Sequence, residues 1–180
     1  MSYLTMFVTV LLAGVIVLLF AMAGELYARS GGLEGSPDSA AGGTGVRPLE
    51  QARFGERPSG WPAPLAGFGS GGPRLVLVLS TRCASCDDVA AQLAGQPDPD
   101  DLGVIVTTAH RDEAMEFIDR HGIGRLPHHI DEGGDWVATQ FGVKISPSAL
   151  VIKEGRLVSA LLFTDVVAVR AAVQAAKEAV

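Results

Sequence analysis

Basic clusters and cysteines are scarce in this chain of 180 residues, and each shortage closes off a class of function. Fourteen Lys and Arg stand against 20 Asp and Glu, for a formal charge of −6, and no run of basic residues suited to neutralising phosphates occurs, which argues against nucleic acid as a partner. Two cysteines cannot build the multi-bridge framework of a small secreted scaffold. Gly-rich phosphate loops, serine-nucleophile elbows and calcium-loop patterns are missing, and no cofactor is expected. Charge itself is absent from Met1 to Gly24.

That uncharged stretch contains Leu4 to Ala23, LTMFVTVLLAGVIVLLFAMA, long enough as a helix to cross a hydrocarbon core of about 30 Å. Residues 1–27 therefore read as a single transmembrane anchor that meets the bilayer through residues 4–24. A cleaved signal peptide is the rival reading. Against it, no Lys or Arg precedes the apolar run, and the run is longer than a signal-peptide core. Glu25, Arg29 and Glu34 follow the span, too few charges to set its orientation.

Residues 28–73 read as a connector. Positions 31 to 73 hold 12 of the 22 glycines and 6 of the 10 prolines, residues that interrupt helices and strands. Its first part, GGLEGSPDSAAGGTG, is of low complexity, whereas Phe54, Trp61, Leu65 and Phe68 in the second part are apolar enough to dock on a domain. Trp61 is expected to pack rather than bind a ligand.

Residues 74–180 carry the pattern of an α/β domain. Arg74 to Ser80, RLVLVLS, has the aliphatic continuity of a central strand buried on both faces. Cys83 to Leu93 then takes helical spacing, with Val89, Ala90 and Leu93 on one side and Asp87 and Asp88 in the early turns. A second strand, Leu102 to Thr107, and a second helix, Asp112 to His121 with Met115 and Ile118 inward, give β-α-β-α. Leu126 to Ile130 reads as a brief extended piece and Trp136 to Phe141 as a helical turn or two. Ala149 to Ile152 and Leu157 to Phe163 form a hairpin around Glu154-Gly155, and a last helix, Asp165 to Ala179, shows Val166, Val169, Val173 and Ala176 as its stripe, with Thr164 as its cap.

The two cysteines stand as C-A-S-C where the first strand gives way to the first helix. Free N–H groups and the positive end of the helix dipole favour a Cys83 thiolate there, and Arg82 adds to this. Cys83 is thus the expected nucleophile and Cys86 the residue that resolves its mixed disulfide. A structural bridge and a zinc clip are the alternatives. The bridge would close a very short loop, where stabilisation is least. The clip would need His110, His121, His128 or His129, none of which has zinc-module spacing. Haem attachment would require His where Asp87 stands. His128 and His129 are adjacent and read as surface residues facing opposite ways.

These residues resemble the thioredoxin superfamily: C-A-S-C after RLVLVLS, then Ile145-Ser146-Pro147 just before the hairpin SALVIKEGRLVSALLF, a match over roughly residues 74–180. The resemblance implies a thioredoxin-like fold with a central mixed sheet flanked by helices, a cis peptide before Pro147, and a substrate segment received by Ser146 and Pro147 beside Cys83 and Cys86. The uncharged span, the segment from Asp135 to Val143 and the hairpin IKEGRLV are most similar to the MauD-type accessory proteins of methylamine utilisation and to membrane-anchored thioredoxins of cytochrome c maturation. Departures are visible too. Arg82 replaces a Trp, Ala84-Ser85 replaces Gly-Pro, and Leu77 stands where the family has a buried, proton-accepting Asp. The resemblance implies a membrane-anchored thiol-disulfide oxidoreductase, its redox domain outside the cytoplasm, acting on protein thiols and disulfides and served by a membrane redox partner. The alternative is a non-catalytic binding module of the same fold, its CxxC a fixed bridge or metal clip.

Overall fold

Alternation along Arg74–Ser80 organises the molecule: Leu75, Leu77 and Leu79 enter one apolar cluster and Val76 and Val78 another, on the opposite face of the sheet. The computed structural model describes residues 45–95 and 100–178. The expected span Leu4 to Ala23 and the first part of the connector lie outside the described residues, as does the Pro97-Asp98-Pro99 break. Among the described residues no helix is long and apolar enough to cross a membrane.

Six strands form one mixed sheet: β1 (Val46–Pro48), β2 (Arg74–Ser80), β3 (Leu102–Thr108), β4 (His128–Glu132), β5 (Ser148–Lys153) and β6 (Arg156–Phe163), in the order β1-β6-β5-β2-β3-β4. The expected centrality of β2 holds. It pairs parallel with β3, Leu75 opposite Leu102, and antiparallel with β5, Val78 opposite Ser148. Among the described residues four helices flank the sheet: α1 (Ala84–Ala94), α2 (Arg111–Arg120), α3 (Asp135–Phe141) and α4 (Val166–Glu178). Helices α1, α2 and α4 pack on the face of Leu77 through Val89, Phe117 and Val169, while α3 covers the other face with Val137 and Phe141. Burying each such side chain contributes about 1.5–3 kcal/mol.

Part of the expected connector belongs to this architecture. Val46 pairs with Phe163 at the sheet edge, and a 3-10 helix, Ala63–Gly69, buries Leu65 and Phe68 against the α3 face. Gly103 makes room for it, since a Cβ there would lie 2.7 Å from Leu65 and 2.9 Å from Phe68. Trp61 packs as expected, its ring 5.8 Å from Trp136 and 5.9 Å from Phe141. Phe54, by contrast, is exposed.

Several local expectations change. Met115 is exposed, because the buried stripe of α2 runs Ala114, Phe117, Ile118 and leaves Met115 a hundred degrees around the helix. The cap of α4 is Asp165, whose carboxylate accepts hydrogen bonds from Val167 N at 2.7 Å and Ala168 N at 3.4 Å, and Gln92 of α1 accepts from Val166 N; Thr164 makes no such contact. Val166, Val169 and Val173 are buried as expected, whereas the Ala176 side chain lies outside what is described. The hairpin turns at Glu154 and Gly155, whose φ of 54° and 73° are the left-handed pair of a two-residue turn.

Candidate active site

Helix α1 begins directly after Cys83, which has extended backbone angles (φ −119°, ψ 111°) and whose carbonyl accepts from Cys86 N at 2.9 Å. The chain therefore presents Cys83 at the positive end of the helix, half-buried, and places Cys86 one turn further in, wholly buried in the core cluster of Leu77. Burial pushes the Cys86 thiol up to about 12; contact with Cys83 adds to the rise, and hydrogen bonding with Ser80 and Ser146 offsets part of it. The loop before β5 closes over the pair. Its Ser146-Pro147 peptide is cis, and the Cys83 thiol donates to the Ser146 carbonyl oxygen at 3.6 Å.

Beside the cysteines lies a cleft of about 510 Å³, walled by residues 80–82, 107–109, 133–135 and 144–146. Four loop ends supply it, at the carboxyl ends of the parallel strands β2, β3 and β4, where open α/β sheets place their sites. It shares Arg82 and Ser146 with the cysteine pair. Sequence reasoning singled out those two, and Ile145 within the same motif as Ser146, but missed Asp135 and Lys144 as wall residues, since no motif links positions that only the sheet brings together.

No family model matches the chain, and no curated protein matches its sequence. Solved structures do. A protein described as the thiol:disulfide interchange protein DsbE of Chlorobium tepidum is similar with a TM-score of 0.51 at 16% identity, over 68% of this chain and 94% of its own. A protein described as a protein disulfide isomerase of Bacteroides thetaiotaomicron gives 0.50 at 16% identity, over 70% and 89%. The fold is thioredoxin-like.

Within this thioredoxin-like domain, Leu77 is wholly buried in the cluster that holds Cys86, so that cluster offers no carboxylate at the family's usual position. Arg82 is exposed at the rim of the cleft. The four histidines are dispersed. His110 precedes α2, His121 bonds Asp87 at 2.9 Å, the His128 ring bonds the Leu126 carbonyl at 2.9 Å, and His129 meets Trp136 edge-on at 5.8 Å. His128 and His129, expected at the surface, are half-buried because β4 is flanked on both faces. Among the described residues no group of three or more His, Cys, Asp or Glu could hold a metal ion.

Proposed function

We propose that this chain is a membrane-anchored thiol-disulfide oxidoreductase that exchanges disulfides with partner proteins outside the cytoplasm. The carrying observation is the asymmetry of the pair: a half-buried Cys83 at a helix start, 3.6 Å from the Ser146 carbonyl, backed by a buried Cys86 held protonated. Attack by Cys83 on a partner disulfide forms one S–S bond and breaks another, releasing one partner thiol. Cys86 then loses its proton, attacks the Cys83 sulfur and releases the second thiol, so that the partner disulfide is reduced and the Cys83–Cys86 disulfide forms. The reverse sequence oxidises a partner dithiol. With Leu77 in place of an acid, the Cys86 proton leaves through water or another carboxylate.

Ser146 and Pro147 receive the substrate backbone in this reading, and Arg82 supports the attacking sulfur. The likeness to proteins described as a disulfide interchange protein and a disulfide isomerase agrees with exchange as the chemistry. Anchoring and a membrane redox partner are supported by the uncharged Met1 to Gly24 and by the resemblance to MauD-type and cytochrome c maturation thioredoxins. Equilibrating the full chain against glutathione and dithiothreitol buffers tests the proposal. A reversible two-electron transition is expected, its potential giving the direction of exchange. A pair that does not cycle would refute the exchange reading.

A further inference from the structure

We infer that the cleft beside Cys83 selects partner segments carrying a carboxylate within a residue or two of the cysteine that exchanges. This rests on the exchange reading above and names the substrate class for the same site. The cleft walls are mostly uncharged, built of hydroxyls, glycines, alanines and the aliphatic Val78, Val143 and Ile145, so the few charges among them decide which charged segments enter. Those charges are Arg82, Lys144 and Asp135, all exposed. Among the described residues, none of the three side chains has a hydrogen-bond or ion-pair partner. Two cations against one anion leave the cleft positive, in a chain whose formal charge is −6.

Their position matters as much as their sign. Arg82 immediately precedes Cys83, and Lys144 stands two residues before Ser146, whose carbonyl meets the Cys83 sulfur. Both cations therefore sit on the two segments that flank the reacting sulfur, whereas Asp135 comes from the start of α3. A segment whose cysteine reaches Cys83 brings its neighbouring side chains into a cleft of about 510 Å³, space for one or two of them. A carboxylate there meets both cations; an ammonium meets them as a like charge. At physiological salt screening acts over about 8 Å, so these local charges outweigh the diffuse acidity of the whole chain.

The test uses the reduced full chain and three peptides identical except for Glu, Gln or Lys beside a cysteine held as its 2-thiopyridyl mixed disulfide. Cys83 attacks the peptide sulfur, the bond to the thiopyridyl group breaks, and thiopyridone leaves; Cys86 then displaces the peptide thiol. Rates are divided by those with free dithiothreitol, which removes the intrinsic effect of peptide charge. The Glu peptide is expected to react about five- to tenfold faster than the Lys peptide at about 0.15 M salt, with Gln between them. High salt should compress the ratio toward one. Arg82→Gln combined with Lys144→Gln should abolish it, and each variant serves as its own reference for any general change in Cys83 reactivity. Cys83-dependent release with a ratio at or below one would overturn the inference and leave the exchange reading standing. A ratio that survives both substitutions would overturn the assignment to these residues. No Cys83-dependent release from any peptide would overturn both readings.

Discussion

The Cys83 sulfur and the Ser146 carbonyl oxygen, 63 residues apart in the chain, lie 3.6 Å from each other. β2 ends at Cys83's turn and β5 begins just after Pro147, and their antiparallel pairing, Val78 opposite Ser148, is what brings the two ends together. A substrate backbone laid along Ser146, as proposed, would lie beside the Cys83 sulfur. The consequences can be tested one at a time.

The two thiols should differ sharply in reactivity. With Cys86 pushed up to about 12, only about one part in ten thousand is thiolate at pH 8. Iodoacetamide added to the reduced native chain should label Cys83 alone, with Cys86 following only after denaturation, as read by peptide mass spectrometry. Equal labelling of both would contradict the buried position of Cys86.

If Cys83 attacks and Cys86 resolves, as proposed, Cys86→Ala should accumulate mixed disulfides with partner proteins through the half-buried Cys83, because the resolving thiol is gone. Non-reducing gels of cells carrying the variant should show thiol-sensitive adducts absent from Cys83→Ala. Finding none would weigh against protein disulfides as substrates.

His129 links stability to pH. Burial lowers its affinity for a proton, partly opposed by Asp131 and reinforced by Arg111 and His128. Its folded value lies below its unfolded one, so the unfolded chain binds more protons as pH falls through about 6.5, and stability should decline there. Urea midpoints measured from pH 8 to 5 should fall less steeply for His129→Gln. Parallel curves would remove His129 from the pH response.

Leu65→Ala should cost about 2–5 kcal/mol, as for any wholly buried leucine, although Leu65 lies in a segment with connector composition. Gly103→Val should act on the same contact from the other side by driving a side chain into Leu65 and Phe68. Chemical denaturation of both variants checks this. Unchanged midpoints would mean that the 3-10 helix is not part of the folding unit.

At the other end of the domain, Asp165→Ala should lose about 0.5–2 kcal/mol by removing the cap of α4. Thr164→Ala should be nearly neutral. The reverse order would restore Thr164 as the cap.

β2, β3 and β5 and the helices along residues 74–163 were legible because burial on both faces writes continuous apolar runs for strands and three-to-four spacing for helices, whereas β4, expected at Leu126 to Ile130, lies at His128–Glu132, because HHIDE carries no such run. The cysteine pair was legible as well, since its motif and its strand-to-helix context are both local. Helix α2 was read with the wrong inward residue because Met115 and Phe117 are equally apolar and only the packing partner decides between them. The docking of Leu65 and Phe68 was legible from their apolar side chains, but β1 and the 3-10 helix were read as connector because glycine and proline content signals interruption without revealing which short pieces take up regular structure.

From the sequence alone came the continuous aliphatic run that marks β2 as central, the placement of Cys83 at the start of a helix, and the proline ahead of the hairpin, all consequences of local residue pattern and backbone chemistry. Tertiary structure decided what surrounds the sulfur. Arg82, Asp135, Lys144 and Ser146 meet at one cleft because β2, β3, β4 and β5 are neighbours in the sheet. That convergence depends on pairings between residues tens of positions apart, which no local pattern encodes.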